Sequence, residues 1–402
     1  MHHKLRLLTP GPTQIPQRVK TALAQDMIHH RKSQFSRIYS RVQPRLQALF
    51  GTSQTVLPLS CSGTGAMQAA ASNLFRPGEK VLVVEAGKFG ERWRRIAQSR
   101  GLETVSLELA WGEAVQPGAV AEMLEAHPDI RGLLVQASET STGALHPIQE
   151  LGRLTQQWEV LLVVDGISAV GVSPCPMDLW GIDCLLTGSQ KGFMLPPGLA
   201  LISLSPRAKE KAQSFASDVF YFNLAGELQK SEQGQTLFTS PVNLILGLDA
   251  ALELFFEEGL ENVFRRQWAW TGLVRQGTAG LGLEPLVIER YTWGLTSLCL
   301  PGGLDGGELV SRVAEDYNVF LAGGQDKLKG RIVRIGHMGD LDFADLLAGL
   351  YALGAVLSEM NAPPQEASYL EQAMQAYERA RTAEMPQWAA RAIQHGHGQS
   401  PR

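Results

Sequence analysis

The sequence predicts an α/β fold: a mostly parallel sheet sandwiched by helices, followed by a smaller C-terminal α+β domain. Three observations predict it. Short apolar runs at 80–84 (KVLVV), 132–136 (GLLVQ) and 160–164 (VLLVV) alternate with helical stretches. These runs are apolar throughout, not at every second position, as in strands buried on both faces. The intervals between them hold a crossover helix each, which parallel strands require. In such sheets, ligands sit at the carboxyl ends of strands.

Composition narrows the function classes. The chain has 402 residues, 44% hydrophobic and 19% charged, enough for a large core and more than one domain. A net charge of −4 gives no basic footprint for nucleic acid and no polybasic membrane patch. No apolar run approaches the roughly 20 residues of a membrane-spanning helix. The start, MHHKLRLLTPGPT, has no signal-type apolar stretch before Pro10, which predicts a cytoplasmic protein. Cys61, Cys175, Cys184 and Cys299 are scattered without a CxxC pair, so reduced thiols are expected, not disulfides or zinc.

Residues 1–17 read as an extended segment, because 4–17 hold three prolines and a glycine. The stretch is too apolar for a free tail and is expected to pack across a neighbour or a site. A large domain over 18–250 follows. Residues 18–50 read as helical, with Leu23, Met27, Ile38 and Val42 apolar and a loop at His29-His30-Arg31. Adjacent histidines diverge on a helix, so no metal site is expected there. Strand, turn and helix then repeat: strands at 55–59, 80–84, 103–107, 132–136 and 160–164, and helices at 66–74, 89–99, 119–126 and 148–157. Residues 251–360 read as the smaller domain. A long amphipathic helix starts at 241 and continues past Gly259 to about 281. Strands are expected at 286–290, 295–300, 318–321 and 331–335, and helices at 309–315 and 343–360. Residues 361–402 read as one amphipathic helix over 369–381 and a disordered tail.

Four features at strand ends carry chemistry. The turn Ser62-Gly63-Thr64-Gly65-Ala66 enters a helix, where free N–H groups and the helix dipole suit a phosphate. It is neither a Walker A loop nor GxGxxG, and alone it is an ordinary β–α turn. Asp165 ends VLLVV; a carboxylate there needs a cationic or donor partner, or caps the next helix. Phe89, flanked by Gly87 and Gly90, could stack on a flat ligand, although a core phenylalanine is the default. Lys191 lies in GIDCLLTGSQKGFMLPPG, between two apolar segments that would desolvate its amine and make it nucleophilic. A lone turn lysine is usually a surface lysine. A Schiff-base lysine, an acid for a pyridine nitrogen and a phosphate cradle together are what pyridoxal 5′-phosphate requires.

The motifs LLTPGPT, SGTGAM, ETSTGALHP, VVDGISAVG, GSQKGFMLPPG and VRIGHMG, spread over roughly residues 5–358, resemble the class V (fold type I) aminotransferases. The likeness lies near the alanine–glyoxylate and serine–glyoxylate group. It implies pyridoxal 5′-phosphate on Lys191, with Asp165 at the pyridine nitrogen. Thr64, Gly65 and Gln190 would hold the phosphate, Phe89 would stack on the ring, and Thr140 would lie near the ring hydroxyl. Arg334 would grip the substrate α-carboxylate, approached also by the Pro10-Gly11 backbone. Family members are homodimers with shared sites, and Thr239 matches a phosphate contact from the other subunit. Phe89 stands where relatives often have tryptophan, and Thr236 where some have tyrosine.

The expected function is transfer of an amino group from a small L-amino acid, alanine or serine favoured, to a 2-oxo acid such as glyoxylate or pyruvate. No second arginine is clearly placed for a side-chain carboxylate, which disfavours an aspartate-preferring enzyme. A cysteine-desulfurase-like lyase usually has histidine before the lysine, and Gln190 stands here. A non-catalytic subunit on the same fold would not need Lys191, Asp165 and Arg334 intact.

Overall fold

The computed structural model describes residues 4–215 and 218–397. The N-terminal segment is extended and includes Arg6–Leu7 (β1). Helices Gln17–Leu23 (α1) and Ser33–Phe50 (α2) flank the loop holding His29 and His30. The alternating region gives Val56–Leu59 (β2), Gly63–Leu74 (α3), Lys80–Glu85 (β3), Lys88–Ser99 (α4), Glu103–Glu108 (β4), Pro117–Ala126 (α5) and Ile130–Gln136 (β5). A small hairpin, Ser138–Glu139 (β6) with Ala144–Leu145 (β7), precedes Ile148–Gln157 (α6) and Leu161–Asp165 (β8). Then come Cys184–Gly188 (β9), Ala200–Leu204 (β10), Pro206–Ser214 (α7) and Leu224–Ser231 (α8).

Seven strands form the main sheet in the order β2-β10-β9-β8-β5-β3-β4. The pairs β9–β8, β8–β5, β5–β3 and β3–β4 are parallel, whereas β10 runs antiparallel to both neighbours. The mixed, mostly parallel sheet is the fold class expected. Strand β8 shows why it reads as a continuous apolar run. Leu162 and Val164 enter one core, with α1, α2, α6 and α9 residues; Leu161 and Val163 enter the other, with α3, α4 and α7. Period-two alternation then divides two apolar faces instead of an apolar face from a wet one. Strand β10 was not anticipated, since ALISL among prolines carries no signal of its own direction.

Two long helices, Val242–Glu258 (α9) and Leu260–Gly280 (α10), hinge at Gly259 (φ 85°). A four-stranded antiparallel sheet follows, in the order β11-β12-β15-β14, from Glu284–Pro285 (β11), Leu295–Cys299 (β12), Ala322–Gly323 (β14) and Ile332–Gly336 (β15). Gly306–Tyr317 (α11) and Phe343–Glu359 (α12) cover it. Val319–Phe320 (β13) pairs with β1 instead, in parallel, and ties the N-terminus to this unit. The expected strand at 286–290 does not form beyond β11. Its Ile288 is exposed, the Val287 and Ile288 carbonyls accept from Arg275, and the chain turns at Arg290 (φ 45°).

The C-terminal stretch is more ordered than expected. Tyr369–Thr382 (α13) lies along α10, where a Cβ on Gly280 would stand 2.7 Å from Tyr369 Cβ. A second helix, Gln387–Gly396 (α14), replaces the expected disorder over its length; residues 398–402 lie outside the described residues. It is held because Trp388, Ala389, Ala392 and Ile393 pack on the main core. Among the described residues no helix is long and apolar enough to cross a membrane.

Candidate active site

The carboxyl ends of β2, β3, β5, β8 and β9 point to one edge of the main sheet, and the loops leaving them hold most of the expected residues. Lys191 follows β9 and is buried. Its Nζ donates to the Pro10 carbonyl. The N-terminal strap is fastened over it twice more. Thr13 N–H donates to the Gln190 carbonyl at 3.2 Å, and Thr13 Oγ1 donates to the Lys191 carbonyl at 3.0 Å. Gly11 lies against the lysine so closely that a Cβ would stand 2.5 Å from Lys191 Cδ, and its φ of 121° excludes most other residues. Burial lowers the Lys191 pKa to about 8; Asp165 opposes this, while Arg334 and Arg92 add to it.

Asp165 ends β8 and is buried. Its Oδ1 accepts from Ile167 N–H at 2.8 Å, and among the described residues the other oxygen has no hydrogen-bond or ion-pair partner. Burial raises its pKa to about 7, against the lowering effect of the Ile167 bond; Glu139 raises it further. A carboxylate so placed calls for a cation. Beside it, α3 begins at Gly63, whose missing Cβ leaves room for Ile167 Cδ1, 2.3 Å from where that Cβ would be. The Ser62 carbonyl accepts from Gly65 and Ala66 N–H, but the first N–H groups of α3, on Gly63 and Thr64, have no acceptor within the helix. The exposed Ser62 side chain does not cap the helix. The Gln190 side-chain oxygen is buried without a partner, and a Cβ on Gly188 would stand 2.9 Å from it. Free N–H groups at a helix start and a buried acid lacking a cation fit pyridoxal 5′-phosphate: anionic at one end, with a protonatable ring nitrogen at the other.

Arg334 sits on β15 and reaches the same edge. Its Nε and Nη2 donate to the Gly323 carbonyl at 3.0 and 2.8 Å, and Nη1 donates to the Thr140 carbonyl at 2.9 Å. A guanidinium has five donors, so one N–H on each terminal nitrogen is left, the fork that a carboxylate takes bidentately. Thr140 Oγ1 lies 2.7 Å from Ser168 Oγ. Phe89, partly buried, is at the start of α4 with the Arg92 guanidinium 4.7 Å from its ring centre.

Two residues that the sequence reading passed over organise this region. Glu139, fully buried, accepts from Phe89 N–H (3.1 Å), Gly90 N–H (3.2 Å), Ser141 N–H (3.1 Å) and Gln136 Nε2 (2.9 Å). It joins the Phe89 turn to the Thr140 loop. Its signal is weaker than that of Asp165, because it lies three residues past the end of the apolar strand β5. Arg92 bonds Thr64 Oγ1 at 3.1 Å and lies near enough to influence both Lys191 and Asp165. The expectation is that no second arginine is clearly placed for a side-chain carboxylate; Arg92 is engaged with Thr64 and the Phe89 ring. Arg92 is one helical turn beyond Phe89, and a single surface-type arginine on a helix gives no warning.

Thr239 is not brought to Lys191 within the chain. It is exposed, in a shallow recess with Ser60, Phe222, Thr236 and Phe238. Nearby, Phe220 is 84% exposed and Tyr221 is 50% exposed, the latter stacked on Phe238 at 5.4 Å.

A family model described as Aminotransferase class-V matches residues 7–278. The chain is 36% identical over 363 residues to a protein of Synechococcus sp. (strain PCC 6716) named soluble hydrogenase, small subunit, covering 90% of this chain and 94% of that one. It is 34% identical over 378 residues to L-aspartate–glyoxylate aminotransferase of Paracoccus denitrificans, covering 92% and 96%. Among solved structures, alanine–glyoxylate aminotransferase of Nostoc sp. superposes with a TM-score of 0.84 at 31% identity, covering 89% and 96%.

Proposed function

The chain belongs to the class-V aminotransferases, and from that premise we propose that it moves the amino group of a small L-amino acid, alanine or serine, to glyoxylate or a similar 2-oxo acid, with pyridoxal 5′-phosphate on Lys191. The observation that carries this reading is the convergence at one sheet edge of the buried Lys191 amine, the uncompensated Asp165 carboxylate and the spare fork of Arg334. The free N–H groups of Gly63 and Thr64, with Gly65, Ala66 and Gln190, would hold the phosphate. Phe89 would cover one ring face and Thr140 would approach the ring hydroxyl.

When bound, the cofactor supplies the carbonyl that takes up the amino group and an electron sink for the substrate's Cα. The chain's own residues do the rest. Arg334 fixes the α-carboxylate and so orients Cα. Lys191 Nζ, with its lowered pKa, removes the Cα proton of the donor and returns a proton to Cα of the amino acid formed from the acceptor. Asp165 keeps a positive charge paired at the ring nitrogen. The strap at Pro10-Gly11 covers Lys191 and limits water.

Homodimerisation is part of the reading. Thr239 beside the exposed Phe220 and Tyr221 supports a subunit contact that would deliver Thr239 to the partner's phosphate cradle. Four free thiols accord with a reducing compartment such as the cytoplasm. A cysteine-based lyase is disfavoured further, because burial pushes the Cys61 and Cys175 thiols up to about 12. A second reading, a donor with a side-chain carboxylate such as aspartate, is supported by Arg92 near Lys191.

The test is spectroscopic. Purified protein with pyridoxal 5′-phosphate should show the visible band of lysine-bound cofactor, and Lys191→Ala should lose it. A panel of alanine, serine and aspartate with glyoxylate, pyruvate and 2-oxoglutarate should change that band and identify the pair. If aspartate is the donor, Arg92→Leu should raise its KM and spare that of alanine. A wild-type protein that ignores added cofactor would sink the proposal.

A further inference from the structure

The loop between α1 and α2 carries His29-His30-Arg31, which the Lys191 site does not use. Arg31 is half-buried and reaches 204 to 207 residues along the chain, to the segment 235–238. Its Nη1 donates to Gln235 Oε1 at 3.0 Å and to the Thr236 carbonyl at 2.6 Å. Its Nη2 donates to the Leu237 carbonyl at 2.9 Å and to the Phe238 carbonyl at 3.4 Å. The arginine is itself held in its turn, where its N–H donates to His29 Nδ1 at 3.1 Å. The two stretches are tied at a second point. Asn243 Nδ2, in the first turn of α9, donates to the Leu23 carbonyl at 2.8 Å and to the Gln25 carbonyl at 3.2 Å.

The segment has little else to fix it. Residues 235–239 belong to no helix or strand. Among the described residues, one backbone-to-backbone hydrogen bond reaches them, from Gln235 N–H to the Lys230 carbonyl at 3.2 Å. A stretch without a ladder keeps most of its backbone freedom, and its carbonyls still need donors. Arg31 supplies them: three successive carbonyls rest on one planar group with fixed donor directions. From the other side, the Glu227 carboxylate accepts from Leu237 N–H at 2.8 Å. Thr236 turns inward, buried, with its hydroxyl donating to the Phe238 carbonyl at 2.8 Å. The clamp ends one residue short of Thr239, which is exposed.

We propose that Arg31 is a positioning residue for the cofactor phosphate of the partner subunit, because it fixes the segment that ends in Thr239 and so presents that hydroxyl already ordered. The inference rests on the homodimer with shared sites proposed above. Arg31 acts through Thr239, and on the partner's site instead of its own. Ordering the segment before the subunits meet removes an entropic cost from cofactor binding.

The test titrates pyridoxal 5′-phosphate into apoprotein, follows the visible band of lysine-bound cofactor, and measures apoprotein Tm alongside. Thr239→Val should raise the apparent dissociation constant about tenfold, as expected for one lost hydrogen bond to a charged group. Arg31→Leu should give a comparable rise. So should Arg31→Lys, which keeps the charge but loses the fork and carries the comparison if the leucine variant fails to fold. Adding Arg31→Leu to Thr239→Val should change the constant by less than about twofold further, a non-additivity that a general loss of stability does not produce. Tagged heterodimers show on which site Arg31 acts. A chain with both Lys191→Ala and Arg31→Leu, paired with a wild-type chain, leaves one lysine-bearing site, and that site should bind the cofactor weakly. The same pairing with Lys191→Ala alone should bind normally. If Thr239→Val weakens binding and neither Arg31 variant does, the proposal is overturned and the shared site stands. Normal binding in the heterodimer with the doubly substituted chain overturns it as well. If Thr239→Val binds the cofactor as tightly as wild type, the shared-site reading fails and the proposal falls with it.

Discussion

Asp165 and Lys191 owe their titration to burial more than to each other, and this has a measurable consequence. In the apoprotein, Asp165 has a folded pKa of about 7, above its ordinary 3.8. The folded state therefore keeps a proton that the unfolded chain has released. Its stabilising contribution is full below the ordinary value and is lost as pH rises through about 7. Apoprotein Tm should fall over that window, and Asp165→Asn should flatten that part of the fall. Bound cofactor, by pairing the carboxylate with a cation, should flatten it as well. Arg334 allows a second prediction. Lysine cannot hold the Gly323 and Thr140 carbonyls and still present two parallel donors. Arg334→Lys should raise donor KM roughly 30-fold, about 2 kcal/mol, with the visible cofactor band retained. An unchanged KM would show that the carboxylate binds elsewhere.

At the scale of elements, the strap decides how enclosed the lysine is. Its parallel pairing with β13 and the Gly336 N–H bond to the Leu8 carbonyl at 2.7 Å fix it to the smaller sheet, while Thr13 fixes it to the lysine turn. Gly11→Ala forces a Cβ into Lys191 at a φ of 121°, a strain of about 1–3 kcal/mol. Turnover should fall at least about tenfold, together with Tm, whereas Gly78→Ala, with open space at the Cβ but the same kind of positive φ, should lower Tm alone. Elements were legible where pattern and punctuation agreed. VLLVV ending in aspartate gave β8, and SGTGA gave the turn into α3. Strand β10 and helix α14 were not legible, because the partners that stabilise them lie far away in sequence. An apolar pentapeptide does not state its direction, and Trp388 finds Trp180 only when the chain has folded back.

At the scale of the whole molecule, the single chain leaves Thr239 exposed beside the exposed aromatics Phe220 and Tyr221, which pack on Phe238. If the proposed dimer shares its sites, each site takes Lys191 from one subunit and Thr239 from the other. A Lys191→Ala chain and a Thr239→Val chain would each be impaired alone. Mixed by unfolding and refolding, they should regain activity in heterodimers, because one of the two sites then has both native residues. No recovery in verified heterodimers would refute sharing at Thr239. A Phe220→Glu change should shift the oligomeric state, read by light scattering, and weaken cofactor retention in parallel.

Arg334 was singled out by resemblance alone; the sequence by itself determined the layered α/β order, the lysine, the acid and the glycine turn. Each is a local statement: a residue type at the end of an apolar run, or a backbone that only glycine allows. What only the tertiary structure decided is how these meet. Glu139 became the joint between the Phe89 turn and the Thr140 loop, and Arg92 came to Thr64, through contacts across 50 and 28 residues of chain. Arg334 became a fork with two free donors only because Gly323 and Thr140, 11 and 194 residues away in sequence, take the other three. Desolvation, hydrogen-bond satisfaction and charge coupling depend on distance in space, and sequence spacing does not encode it.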